Sequence, residues 1–515
     1  IAALIGLALG TLLAESLIGL VRAPVAELYG LLAPAGVQPE AGLYLFLWLA
    51  AVGTALISVV GLLHEARRIP PGRILRLPPA EAQHRLAGVA AAFGLLGLTV
   101  ILLWASHRLA VAFAALFLAL GGFALLAPEL GVRVLSALSR IAPQRLPGRA
   151  LALLLAGQKR IRPALAALSL ALALAVGLAM MVLGFRAAVD DWIDRLLRAD
   201  SYVTASQGGL DPATVERIGA LPGIADTSGA RRRLLAGGQE LIAYGLPPRG
   251  WAGFEWLAGD PEAAYRAVIA NQAAIISEPL ARRRQLGADD TIELATPGGN
   301  VELPIVGIYR DYASELGTVA IHLPLYRRLF DDPLVDRLAL YYENAGIDET
   351  RLADRLHAID PGLELTSRDA VYAGTLAVFD RTFRISWALA ALVGLIAIIA
   401  LISALLALGL ERRRDYATLR ALGLTPGNLH ILVVCQTAGL ALAAALVAVP
   451  LSLAIHIGLS LVIQPRAFGW SLPLSWPLAP LAIMLPLAVT FGLLAGLYPA
   501  WRIGRRNPAA ELKEE

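Results

Sequence analysis

Long apolar runs alternate along this chain with short arginine-rich stretches, and one polar stretch is far longer than the others. Eight apolar runs, at 1–20, 42–64, 86–105, 108–128, 162–186, 385–410, 430–463 and 479–501, are each near the ~20 residues that cross a bilayer as a helix. The seventh is long and carries Pro450 in mid-run, which predicts a kink or a tilt. Residues 129–161 are too polar to span. Within them Leu151-Ala152-Leu153-Leu154-Leu155, followed by Gln158-Lys159-Arg160, predicts an amphipathic helix at the cytoplasmic interface, where an elbow before the fifth span is the simplest role.

The long polar stretch, 187–384, has the pattern of a mixed α/β domain. Ser201 to Ser206 alternates like a strand, and a helix over 211–220 opens on Asp211-Pro212. Strands are predicted at 231–235, 240–245, 291–295, 301–308, 337–343 and 363–367, with Pro297-Gly298-Gly299 as a hairpin turn. About 200 residues suffice for one or two independent cores.

Arginine placement orients the spans. The 64–86 loop holds Arg67, Arg68, Arg73, Arg76 and Arg85, and the 129–161 segment holds Arg133, Arg140, Arg145, Arg149, Lys159 and Arg160. Arg412, Arg413, Arg414 and Arg420 follow the sixth span, and Arg502, Arg505 and Arg506 follow the eighth. All four groups fall on one side, which the positive-inside rule makes cytoplasmic. The 187–384 domain is then extracytoplasmic, and its own arginines do not object because long translocated segments escape the rule. The expected fold class is an α-helical polytopic membrane protein of about eight spans with an inserted mixed α/β extracytoplasmic domain.

Composition agrees with a membrane protein. Hydrophobic residues make up 57% of the chain and charged residues 16%, against about 25% charged in soluble domains, and the mean hydropathy is +0.65. The net charge of +4 comes from loop arginines at the ends of apolar runs, so it signals no nucleic acid. The single cysteine, Cys435, lies in an apolar run and cannot form an intrachain disulfide.

The chemistry of a self-contained pump or enzyme is not encoded. A phosphate loop needs Gly-Lys-Ser/Thr, and Lys159 and Lys513 follow Gln158 and Leu512. The histidines are scattered without a metal-ligand spacing, and no Gly-x-Ser-x-Gly elbow occurs. Ionisable residues inside predicted spans are Glu15 and His456, functional candidates by default but too sparse for a proton relay, and structural roles account for both. The pairs Gly6/Gly10 and Gly492/Gly496 have the spacing that lets helices approach closely, and packing within the bundle accounts for them. Pro71-Gly72-Arg73-Ile74-Leu75-Arg76 weakly echoes Pro508-Ala509-Ala510-Glu511-Leu512-Lys513, each following a helix that ends in paired arginines. This predicts a parallel repeat in which residues 1–76 are the end of an earlier copy whose beginning is missing. Opening at Ile1 on an apolar run without a charged lead-in, the chain does not begin like a signal peptide.

After the sixth span comes Glu411-Arg412-Arg413-Arg414-Asp415-Tyr416-Ala417-Thr418-Leu419-Arg420-Ala421-Leu422-Gly423. The pattern predicts a charged helix stopped by Gly423 and turned by Thr425-Pro426-Gly427. Leu419 and Leu422, three apart, are expected on one face with Asp415, suited to a groove on a cytoplasmic partner. A positive-inside anchor would explain the arginines, but not the ordered pattern or the sharp stop.

Glu-Arg-Arg-Arg-acidic at 411–415, followed by Leu-Arg-Ala-Leu-Gly at 419–423, resembles the signature of the FtsX-like/MacB-like permease family of ABC transporters. Tyr498-Pro499-Ala500-Trp501-Arg502 with Asn507-Pro508 resembles the family's ending, and Ile276-Ser277-Glu278-Pro279-Leu280-Ala281 and Val306-Gly307-Ile308-Tyr309-Arg310-Asp311-Tyr312 are similar to its outer domain. The resemblance covers about 150–515 as one unit, and an intact two-unit relative would have ten spans.

The resemblance implies the following organisation: 1–76, two spans closing a first unit; 77–128, two linking spans; 129–161, the interfacial helix; 162–186, a span; 187–384, the outer domain; and 385–515, the permease domain with its coupling helix. It implies a separate cytoplasmic ATPase that carries the ATP and magnesium, with no cofactor on this chain. The contact would fall on Glu411, Arg412, Arg413, Arg414, Asp415, Leu419, Arg420, Leu422 and Gly423. A second permease copy or a periplasmic partner, membrane lipids, and export or extraction of a hydrophobic, lipid, lipoprotein or peptide cargo from a bacterial inner membrane are further expectations. The 464–478 loop, beginning Gln464-Pro465-Arg466-Ala467-Phe468-Gly469-Trp470, departs from the family pattern. An ion-driven secondary transporter and a non-transporting envelope scaffold or sensor are the alternatives.

Overall fold

The computed structural model describes residues 81–505, apart from short gaps at 143–145, 157, 207, 236–237, 345–346, 412–415, 417 and 421, together with scattered positions between 4 and 56. Of the predicted span 42–64, residues 42–49, 51–53 and 56 are described and are helical, whereas most of the predicted span 1–20 and all of residues 57–80 lie outside the described residues. The chain divides into two units: one holds residues 1–182, 380–456 and 477–515, the other 183–379 and 457–476.

The first unit is helical. Among the described residues, five helices are long and apolar enough to cross a membrane: Leu86–Ala105, Leu109–Ile141, Ile161–Leu196, Pro426–Phe468 and Ala479–Leu497. The predicted 385–410 span lies on the continuous helix Arg368–Glu411. Aromatic side chains such as Trp104 (87% exposed) and Phe117 (69%) point outward, as residues facing lipid do in a bundle.

Several helices exceed the runs read from hydropathy. The fourth span continues past 128 to Ile141, through Pro128. The polar residue that ended the apolar run, Glu129, is buried and paired with Arg162 of the next long helix at 3.0 Å. A neutralised carboxylate gives the helix no reason to stop. The helix predicted as interfacial is correspondingly shorter, covering Leu146–Ala156. The fifth span is one helix from Gln158 to Leu196; Asp190, Asp191 and Asp194, placed by hydropathy in the outer domain, continue it, while Val189, Trp192 and Ile193 are buried. The seventh runs unbroken through Pro450 from Pro426 to Ile457. Its irregularity comes later, as a π-helical stretch over Gly458–Ile463 and a short helix Gln464–Phe468.

Small residues set the packing. A Cβ on Gly131 would lie 2.8 Å from Leu165, one on Gly177 2.8 Å from Ile455, and one on Gly492 2.8 Å from Ala441. At Gly496 it would meet the Thr437 hydroxyl at 2.2 Å. The pair Gly492/Gly496 therefore seats the last helix on Pro426–Ile457. Around these approaches Leu135, Leu151, Leu154, Ile161, Leu165 and Leu440 form a buried core.

The second unit is built on one ten-stranded mixed sheet in the order β10-β1-β9-β2-β3-β8-β5-β7-β4, with β6 paired to β7. The strands are β1 (Ser201–Ala205), β2 (Ile224–Leu234), β3 (Glu240–Tyr244), β4 (Trp256–Ala258), β5 (Ala274–Ser277), β6 (Thr291–Thr296), β7 (Gly299–Tyr309), β8 (Thr318–His322), β9 (Arg337–Tyr342) and β10 (Leu363–Ser367). Pairing is parallel for β3–β8 and β5–β7 and antiparallel elsewhere. The Pro297-Gly298 turn closes the β6–β7 hairpin, with Thr296 opposite Gly299. Asp211 caps its helix, accepting from the Thr214 amide at 3.0 Å.

Strands β5 and β8 have no alternation to read. All four residues of β5 are buried, as are the first four of β8, so hydropathy along them is flat. The helices Pro261–Ile269, Glu278–Arg284 and Leu323–Phe330 are too short for periodicity to register, whereas Glu349–Ile359, capped by Asp348 and burying Leu352 and Leu356, carries a readable signal that the predicted set omits. One core, including Leu241, Ile276, Ile305, Val319, Tyr326 and Leu340, underlies most of the sheet.

Substituting valine at Gly496 should disrupt the close helix contact, at about 1–3 kcal/mol for overpacking, and lower the melting temperature of the detergent-purified chain. Valine at Gly97, where a Cβ meets nothing within 4 Å, should change the packing term little. Equal effects of the two in a thermal-shift assay would argue against the glycine seam.

Candidate functional site

The helix stop foreseen at Gly423 has a defined hydrogen-bond pattern. Gly423 N–H donates to Arg420 O and Leu424 N–H to Leu419 O, both at 3.0 Å, and Gly423 has φ +98°. Together these bonds satisfy carbonyls that a helix end leaves open. The flanking leucines 419 and 424 both pack against one core, the hydrophobic contact that accompanies this motif. Thr425 then opens the next helix: its carbonyl accepts from Leu429 N–H at 3.0 Å and its hydroxyl from Asn428 N–H at 3.3 Å, and Pro426 is the first helical residue.

Tyr416, absent from the predicted set, anchors the turn. It is 2% exposed and packs with Ala150, Leu429, Leu432, Val433 and Ala500. Its hydroxyl donates to Gln436 Oε1 at 2.7 Å, and Gln436 Nε2 donates to Ala150 O at 3.2 Å. This two-bond relay ties the turn, the helix Pro426–Ile457 and the helix Leu146–Ala156 together. Ala500 belongs to the Tyr498-Pro499-Ala500 motif, so that motif contributes to the same core.

Of the predicted contact residues, Glu411 ends the helix Arg368–Glu411, and Arg412, Arg413, Arg414 and Asp415 lie outside the described residues. Leu419 and Arg420 are half-buried, whereas Leu422 is 80% exposed. The two leucines do not share a solvent face: Leu419 turns into the core, and Leu422 sits where the helix has ended. His456 is 1% exposed on Pro426–Ile457 and Glu15 is exposed; the structure does not gather them into a site. Among the described residues no cluster of His, Cys, Asp or Glu is arranged to hold a metal.

In the second unit, the ends of the two long helices are fastened at the entry and exit of the sheet. Arg368, which opens the helix Arg368–Glu411 directly after β10, bonds Asp194 Oδ1 at 2.5 Å and Leu197 O at 2.7 Å. One turn on, the Tyr372 hydroxyl donates to Asp190. Val371 and Leu376 pack against a core that includes Val189, Trp192 and Ile193. Arg195 reaches Glu255 at 3.3 Å, and Glu255 also pairs with Arg310 at the end of β7. These residues are dispersed in sequence, so only the Val306–Tyr312 motif could have flagged any of them. Within that motif Asp311 is 5% exposed, accepting from Thr318 Oγ1 and Ala313 N–H at 2.9 Å each. Burial pushes its carboxyl above the usual range.

The fold defines a helical multi-pass membrane protein with an α/β domain inserted between two of its long helices. The FtsX-like permease C-terminal family matches residues 387–508 and the MacB-like periplasmic core domain matches 164–355. An uncharacterized ABC transporter permease protein of Mycobacterium tuberculosis is 30% identical over 99% of this chain, and the chain spans 62% of that relative's length. The periplasmic region of MacB from Actinobacillus actinomycetemcomitans aligns to 36% of this chain and 95% of its own, at 9% identity and a TM-score of 0.29. The extracellular domain of the noncanonic ABC-type transporter YknZ from Gram-positive bacteria aligns to 33% and 100%, at 9% identity and a TM-score of 0.26. Over residues 164–355 and 387–508 the chain is thus similar to the FtsX-like/MacB-like permeases of ABC transporters.

Valine at Gly423 should cost about 1–2 kcal/mol, because an L side chain resists the left-handed conformation, and should loosen the turn; faster amide exchange at Leu424 would register it. Asp311→Asn should separate from the parent with pH. The native carboxyl has a raised pKa, so the folded protein binds a proton more tightly than the unfolded chain, and stability falls as pH rises from the ordinary carboxylate value through the folded one. Above that window the asparagine variant should gain relative to the parent, with the difference shrinking below about pH 4. A pH-independent difference in melting temperature would contradict this.

Proposed function

We propose that this chain is the transmembrane subunit of an ABC transporter in a bacterial inner membrane, coupling ATP hydrolysis on a separate cytoplasmic ATPase to movement of the extracytoplasmic α/β domain. The observation that carries this reading is the pair of unbroken helices flanking the domain, Gln158–Leu196 of 39 residues and Arg368–Glu411 of 44. At 1.5 Å per residue they are about 58 and 66 Å long, well beyond the ~30 Å hydrocarbon layer. Each can therefore serve as a rod with both ends outside the lipid. The second rod leads, through the arginine run, to the Leu422–Thr425 turn.

That turn has the features of a docking knob. Its backbone is fixed by the glycine stop and the threonine cap, its base is held by Tyr416 and Gln436, and Leu422 projects from it. A rigid tip with an exposed apolar residue, two positions after Arg420, suits a groove on an ATPase, where a few anchors carry most of the affinity. The cargo class is a hydrophobic, lipid, lipoprotein or peptide substrate moved by mechanical work from outside the cytoplasm, a reading suggested by the large outer domain.

Leu422→Glu should lower stimulation of the ATPase about tenfold or more, the effect of losing an interface anchor. Thermal stability should be unchanged because the side chain is exposed. Purification from native membranes with mass spectrometry of co-purifying proteins identifies the ATPase. Absence of any ABC-type ATPase, or normal stimulation by the Leu422→Glu protein, would defeat the proposal.

A further inference from the structure

The 464–478 loop, which departs from the family's sequence pattern, belongs with the α/β domain: residues 457–476 fall in the second unit. The helix Gln464–Phe468 stops at Gly469, φ +88°, whose N–H donates to Pro465 O at 3.1 Å. A Cβ there would lie 3.0 Å from the Pro279 Cα, so glycine permits both the turn and the close approach. Trp470, 7% exposed, then enters an aromatic cluster. It stacks on Phe468 at 5.3 Å and Phe185 at 6.3 Å, and meets Tyr312 edge-on at 6.0 Å.

The next peptide group is held at both poles. Ser471 N–H donates to Glu278 Oε2 at 2.9 Å, and the Tyr312 hydroxyl donates to Ser471 O at 3.3 Å. Glu278 is 4% exposed and divides its carboxylate, with Oε1 on Arg282 at 2.8 Å. Burial raises the Tyr312 pKa, keeping the phenol a neutral donor. Leu472 is buried in the same core as Trp192 and Tyr312.

Glu278 and Tyr312 come from the Ile276–Ala281 and Val306–Tyr312 motifs, which meet because β5 and β7 are parallel neighbours with Ser277 opposite Tyr309. The gripping side chains thus follow the ends of β5 and β7. The covalent attachments of the domain lie at β1 and β10, five and six strand positions from β5 in the sheet order.

We propose that residues 469–472 are a positioning clamp, a third attachment that fixes the β5–β7 half of the sheet to the chain leading into the last membrane helix. Trp470 is the plug and Glu278 and Tyr312 are the jaws. The clamp rests on the mechanical reading above, in which the sheet has to move as one body. The two covalent attachments lie at neighbouring strands, and the far half is tied to the helix Gln158–Leu196 only through side chains, the Arg195–Glu255–Arg310 ion pairs and the Trp192–Tyr312 contact. The grip at 469–472 adds the loop ahead of the last span to that hold.

The test is hydrogen–deuterium exchange on the full chain with its co-purified ATPase in nanodiscs, without nucleotide and with ATP plus vanadate. The parent should show a nucleotide-dependent change at 274–280 and 469–472. Trp470→Ala should abolish the change at 274–280 while leaving protection of β2 and β9 intact, and Trp470→Phe should restore it. A response that survives in Trp470→Ala, or a loss that phenylalanine does not repair, overturns the clamp. No response in the parent would defeat the coupling reading itself, and the clamp is then judged without nucleotide. Glu278→Ala should speed exchange at Ser471 about tenfold or more with β2 and β9 unchanged. No acceleration, or one spread equally over β2 and β9, overturns it.

Discussion

A backbone amide that enters hydrocarbon must find its partner inside its own helix or in a neighbouring segment, because no water is there to accept it. That constraint shapes the rest of this chain. It forbids a loose joint within a lipid-facing span, so any segment that must carry displacement across the bilayer is driven toward an unbroken helix. The helices Gln158–Leu196 and Arg368–Glu411 extend the same continuity beyond the apolar runs, through residues polar enough to read as loops. Among the described residues a π-helical stretch occurs at Gly458–Ile463, on the way to the loop that grips the sheet. A wider turn changes the direction of the following residues without opening the helix, which is how π-bulges commonly serve functional positions.

The legible parts of the fold were those in which composition and periodicity follow burial. Apolar runs revealed five of the long helices because lipid selects for hydropathy. The sequence also marked the Gly423 stop and the Pro297-Gly298 turn, where local backbone geometry demands particular residues. Helix ends were less legible. Glu129 looked like a boundary because its charge was visible and its partner Arg162, 33 positions on, was not. Asp190 and Asp194 fell beyond the predicted end of the span at 186 for the same reason, since their partners Tyr372 and Arg368 lie across the inserted domain in sequence. Strands β5 and β8 escaped because complete burial removes the alternation that identifies a strand.

The coupling segment shows a related gap between pattern and placement. Leu419 and Leu422 are three apart, which on a continuing helix puts them on one face. The helix ends at that point, however, and the left-handed glycine follows, so the spacing rule no longer governs Leu422. One leucine closes the core and the other projects. Tyr416 and Gln436 were invisible as a pair, 20 residues apart, although a tyrosine and a glutamine in an apolar setting each require a hydrogen-bond partner once buried.

The two extracytoplasmic motifs acquire a physical meaning from the parallel pairing of β5 and β7. Neither motif contains a catalytic constellation, and each ends with polar residues at the end of a buried strand. Parallel strands bring equivalent ends together, so Glu278 and Arg310-Asp311-Tyr312 share one end of the sheet. There Arg310 turns to Glu255, which also holds Arg195, while Tyr312 and Glu278 turn to Ser471. One sheet end therefore holds both a long helix and the loop ahead of the final span. Held at the same strand ends by a helix and by the loop, this half of the sheet is tied to two separate segments of the chain, which is the arrangement the proposed movement of the domain would use.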